Sequence, residues 1–109
     1  DHRAVFSAVR VIARQAQHNP PRSLHLYETP SSTDQTPLMP GNNFHPNTFV
    51  NIEGYIDNKL DALSCYSREL KDFPHPRSLD GVKAYAAFRG ISSGYKYAES
   101  FITLFSKWD

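Results

Sequence analysis

The residues best equipped for chemistry in this 109-residue chain are five histidines: His2, His18, His25, His45 and His75. Near neutral pH an imidazole can ligate a metal or move a proton. None of the five forms a close pair such as H-x-x-x-H, which would set two rings on one helix face. Read by spacing alone, each serves the surface, a cap or a loop. The single cysteine, Cys65, excludes an internal disulfide. No catalytic motif surrounds it, so it reads as an ordinary helix residue. The chain also lacks a G-x-S-x-G elbow, a phosphate-cradling glycine loop and a C-x-x-C pair.

The elements that would position these groups follow from periodicity and breakers. Val5, Val9, Ile12, Ala13 and Ala16 recur at helical spacing and predict a helix over 4–17. Pro20-Pro21 ends it, because proline has no backbone N–H to donate. The Val5, Val9 and Ile12 stripe is expected in the core. Ser23 to Glu28 alternates, with Leu24 and Leu26 on one side, and predicts a strand bounded by Pro30. Residues 29–47 carry four prolines among Thr, Ser, Asn and Gly and predict a long loop, a common place for function. Residues 49–52 predict a short strand. Ile56, Leu60, Leu63 and Leu70 mark an amphipathic helix over 53–70, with its first three apolar residues in the core. Ser78 can cap a helix from Leu79 that weakens at Gly90 and ends near Gly94. Residues 97–102 fit either a continued helix or a closing strand. The inventory is about three helices and two to three strands, an α/β fold.

Hydrophobic residues make up 39% and charged residues 21%, with a net charge of +1. The basic residues form no stripe, which argues against a nucleic-acid partner. No apolar run approaches the ~20 residues of a membrane span. A soluble, cytoplasmic protein is expected. The chain opens on Asp1-His2-Arg3 and enters a helical pattern at once, so further sequence is expected before Asp1.

Several segments, taken in order, resemble the LmbE/PIG-L family of metal-dependent N-deacetylases. Asp1-His2-Arg3-Ala4-Val5, followed by an alanine-rich helix, resembles the end of the family's H-x-D-H motif. Phe44 to Ile52 resembles F-x-P-x-x-F-V-D-I, with Asn51 where Asp is usual. Lys59, Ala62, Leu63, Tyr66 and Ser67 resemble K-x-x-A-L-x-x-Y-x-S. Pro74-His75-Pro76-Arg77-Ser78 resembles a P-H-P-R-S segment of a bacterial branch. Arg89-Gly90 and Tyr97-Ala98-Glu99-Ser100-Phe101 resemble R-G and Y-A-E-x-F near the family's C-terminus. These segments span nearly the whole chain.

The resemblance implies that residues 1–109 are the C-terminal portion of a Rossmann-like LmbE-type fold. The N-terminal half, with its A-H-P-D-D-E-type motif, lies outside this chain. It also implies one divalent metal, usually zinc, and hydrolysis of the acetyl group of an N-acetylglucosamine-type sugar or conjugate by a metal-activated water. His2 matches the second-half metal ligand. Asp1 matches the aspartate that orients or tunes a neighbouring histidine. Glu28, Thr29 and Ser31 follow a strand, where α/β sites gather, and are candidates to line the pocket. Arg77 and Arg89 either meet an anionic substrate group or join structural ion pairs. Tyr97 and Glu99 are expected to support the fold.

Catalytic zinc takes three protein ligands, so the chain alone is expected to be inactive. Its apolar faces are expected to pair with its own N-terminal half or with a second copy. A non-catalytic interaction module is the alternative reading.

Overall fold

A computed structural model describes residues 1–41 and 43–109; the loop expected over 29–47 therefore contains one residue, Asn42, outside the described set. The fold is mixed α/β. Three helices, α1 (His2–Ile12), α2 (Ile56–Ser64) and α3 (Leu79–Ser93), accompany three strands, β1 (Ser23–Tyr27), β2 (Thr48–Asn51) and β3 (Ala98–Ser106). The strands are hydrogen-bonded in the order β1-β3-β2. Two compact units emerge, one of residues 1–26 and 103–109, the other of residues 27–102. Among the described residues no helix is long and apolar enough to cross a membrane.

In the smaller unit, α1 is shorter than the helix expected over 4–17. Residues beyond Ile12 tighten into turns, with the Arg14 amide donating to Val11 and the Gln17 amide to Arg14. The Gln15 side chain donates to the carbonyls of Ala13 and Pro21, a local alternative to continuing the helix. Asn19 turns the chain at φ 52°, a region asparagine tolerates, just before Pro20. The expectation that Val5, Val9 and Ile12 form core is corrected. Val5 is 63% and Ile12 67% exposed, Val9 is half-buried, and α1 buries no residue. Its apolar arc finds too little apolar surface within its own unit to cover it. Here β1 and β3 run antiparallel: the Lys107 amide donates to the Arg22 carbonyl, and His25 Nδ1 lies 2.9 Å from Thr103 Oγ1.

In the larger unit, β2 and β3 are antiparallel, with Thr48 opposite Phe101 and Asn51 opposite Ala98. The open question over residues 97–102 is settled as strand from Ala98 on, where β3 pairs its backbone with β2. The helix expected over 53–70 begins as a 3-10 turn at Glu53–Tyr55, becomes α2, and ends at Ser64. Turns at Tyr66, Glu69 and Leu70 replace its last part. Ile56 of α2 packs with Ile52 and Ala86, and Leu60 and Tyr97 close over them.

Helix α3 starts where expected, with Ser78 Oγ accepting from the Gly81 amide at 2.8 Å. It does not weaken at Gly90 but continues to Ser93 and ends on Gly94 in the left-handed region at φ 80°. Gly90 instead permits the chain to double back. A Cβ there would meet the carbonyl oxygens of Tyr95 and Lys96, the latter at 2.8 Å.

Candidate functional site

The larger unit holds a cavity of about 400 Å3. Each wall comes from a different element. Helix α2 supplies Lys59, Ala62 and Leu63, and Tyr66 follows it. Helix α3 supplies Val82, Tyr85, Ala86 and Arg89, which share a face because residues three and four apart are neighbours on a helix. Residues Ala98–Phe101 form a third wall, and residues 27–30, at the end of β1 and beyond, form the fourth.

At the polar end, Arg89 binds Glu28 through two bonds. Nε donates to Oε2 at 2.9 Å and Nη2 donates to Oε1. The Ser100 hydroxyl donates to the same Oε2 at 2.9 Å. Only 13% of the Arg89 side chain and 16% of the Glu28 side chain reach solvent, so this is a desolvated pair. The bonds to Glu28 hold the guanidinium above its already high pKa, against the opposing effect of burial. Phe88 and Phe44 lie 5.0 and 5.7 Å from it, ring centroid to Cζ, within cation–π range.

Two further polar contacts frame the cavity. Lys59 Nζ donates to Glu99 Oε1 at 2.7 Å, in a pair a little over one-third exposed on each side. Tyr85 is hydrogen-bonded to Asp34, and burial followed by that bond pushes its phenol up to about 12. Asp34 is placed by the turn at Ser32–Gln35: its Oδ2 accepts the Ser31 amide while Ser31 Oγ accepts the Thr33 amide. The phenol is therefore neutral at physiological pH and available as a hydrogen-bonding group, not as a base.

No family model, curated protein or solved structure matches the chain.

The candidate residues divide three ways. Glu28, Thr29 and Arg89 meet at the cavity. Ser31 does not line it and instead caps the turn that carries Asp34. Arg77 lies elsewhere in the larger unit, donating to Glu69 at 2.9 Å, while its backbone amide donates to His75 Nδ1 at 3.0 Å. Asp1 and His2 belong to the smaller unit and are exposed, and Asp1 makes no side-chain cap bond to α1. Glu99 and Tyr97 occupy structural positions, one in an ion pair and one against the core.

Sequence reasoning missed Tyr85, Asp34 and the bond from Ser100. The spacing of Tyr85 and Arg89, one helical turn apart, was the available signal for the first. Alternation along a strand put Ala98 and Ser100 on one side, a signal for the third. Nothing local ties Asp34 to α3.

Among the described residues no three His, Cys, Asp or Glu side chains stand together as a metal-holding group. His2, which the resemblance matches to a metal ligand, is exposed at the start of α1, and no step is derived through a metal.

Proposed function

We propose that this chain is the C-terminal portion of an LmbE/PIG-L-type N-deacetylase with a Rossmann-like fold. The whole protein would remove acetyl from an N-acetylglucosamine-type sugar or conjugate in the cytoplasm, with zinc or another divalent metal as cofactor. The observation that carries this reading is the meeting of four of the family-like segments, within residues 44–52, 59–67, 89–90 and 97–101, in one unit. The F-V-N-I strand pairs with the A-E-S-F strand, Asn51 opposite Ala98. Lys59, from the K-x-x-A-L-x-x-Y-x-S helix, pairs with Glu99 of Y-A-E-S-F. Arg89, of R-G, joins Ser100 through Glu28. Segments far apart in sequence that resemble one family's motifs are thus also partners in space.

In this reading the chain's own residues shape and support the substrate pocket. The Glu28–Arg89 joint ties the end of β1 to α3, and Lys59–Glu99 ties α2 to β3. His2 is the ligand offered to a metal whose other donors come from the N-terminal half, and Asp1 tunes its neighbourhood. The exposed Val5, Val11 and Ile12 of α1 support the N-terminal half, or a second copy, as a partner.

Acetate release is the test. A longer chain that includes the A-H-P-D-D-E-type segment, loaded with zinc, is expected to release acetate from N-acetylglucosamine conjugates. His2→Ala in that chain is expected to abolish it. No acetate from any N-acetylated amino sugar with the metal bound would overturn the assignment and favour a non-catalytic interaction module.

A further inference from the structure

The charges around the cavity are already spoken for. Arg89 is neutralised by Glu28, and Lys59 by Glu99. A phosphate or carboxylate entering would meet cations whose charge is already balanced, and would stand close to the Glu28 or Glu99 carboxylate. What remains for a ligand is of another kind. The rings of Tyr27, Tyr66, Tyr85 and Phe101 and the small apolar side chains between them line the walls. Tyr27 and Tyr66 stand 72% and 66% exposed at the rim, an amount of uncovered aromatic surface that a ligand would bury. Among the acceptors at the cavity Glu99 is the one open to a ligand: its Oε1 takes Lys59 while the carboxylate stays partly exposed. A volume of about 400 Å3 lies within the range of small-ligand pockets.

We propose that this cavity binds a small neutral molecule: an aromatic ring lying among the four aromatic side chains and carrying a hydrogen-bond donor that meets the Glu99 carboxylate. The Tyr85 phenol, neutral and held by Asp34, gives the wall against that ring an uncharged aromatic surface. The cavity thus discriminates by charge, accepting phenols or aryl amides and refusing aryl phosphates. The inference rests on the cavity itself and not on the deacetylase reading.

The test is a titration of the isotope-labelled chain at pH 7, read by amide chemical shifts, with p-cresol as the neutral probe and 4-tolyl phosphate as its anionic match. The expected result is saturable shifts at Ala62, Ala98 and Glu99 for p-cresol and binding about tenfold weaker or worse for the phosphate. Ala62, exposed on α2 at the cavity, is the residue to enlarge. Ala62→Phe should weaken p-cresol about tenfold by filling the space, with the melting temperature little changed. Glu99→Gln should release Lys59 and narrow the gap between the two probes. The proposal is overturned if p-cresol gives no saturable shifts at these residues. It is equally overturned if the phosphate binds as well or Ala62→Phe binds p-cresol unchanged. None of these readouts involves metal or acetate, so failure here leaves the deacetylase reading standing, and failure to release acetate leaves the cavity's preference standing.

Discussion

Replacing Arg89 by Met keeps most of the side chain's volume and removes its charge and donors. Glu28 would then keep only the Ser100 hydroxyl as a side-chain donor, losing two of the three bonds its carboxylate accepts. Breaking a buried pair by removing one partner costs ~3–5 kcal/mol. With 16% of Glu28 still reaching water, the lower end, about 3 kcal/mol, is expected. A chain of this size is stable by roughly 5–15 kcal/mol, so the loss takes a fifth or more of the total. Urea unfolding followed by far-UV circular dichroism at pH 7 measures it. The double variant Glu28→Leu with Arg89→Met removes both charges and should recover most of the loss, because well-packed apolar residues can replace a buried pair at little cost. A change below ~0.5 kcal/mol for Arg89→Met would mean the pair behaves like a surface pair, and the reasoning from burial would be wrong. A double variant as unstable as the two single losses added together would refute it too.

Three further outcomes follow from the geometry. Gly90→Ala would gain about 1 kcal/mol in an ordinary helix. Here its Cβ meets the backbone of Tyr95 and Lys96, so a net loss is expected in thermal melts, and a gain would refute the close approach. Ser78→Ala removes the acceptor for the Gly81 amide from a buried site and should cost ~1–2 kcal/mol, read as a lower urea midpoint; an unchanged midpoint would mean the cap contributes nothing. Tyr85 has its phenol raised from 10.0 to about 12, so the folded state holds that proton more tightly than the unfolded chain. The resulting stability is present below pH 10 and is lost as pH rises from 10 through 12. The melting-temperature gap between the wild type and Tyr85→Phe should therefore narrow across that window, and a gap that is constant or widens would contradict the assignment.

Much of the fold was legible because its signals act over a single turn. Ser78 and Gly94 bracket α3, and alternation from Ser23 marks β1; each works through its own backbone or that of near neighbours. The same locality explains the misses. Past Ile12 the chain turns instead, and the Gln15 side chain meets the Pro21 carbonyl six residues away. The last part of the helix expected to Leu70 becomes turns although its leucine spacing is helical. Residues 97–102 carry a pattern that fits helix and strand alike, and only the pairing of Asn51 with Ala98 chooses between them.

The site divides along the same line. Glu28 and Arg89 could be named from the sequence, one at a strand end and one on a helix, but not as partners. They lie 61 residues apart, and Ser100 lies 72 from Glu28. By itself, then, the sequence determined the type of most segments and both ends of α3, because propensity, caps and breakers are properties of neighbouring residues. The tertiary structure alone decided that the cavity's cations are already paired, that Tyr85 meets Asp34, and that α1 leaves Val5 and Ile12 in solvent. Charge neutralisation and burial depend on distances across the fold, set when strands take their register and helices pack against them, and no local pattern encodes those distances.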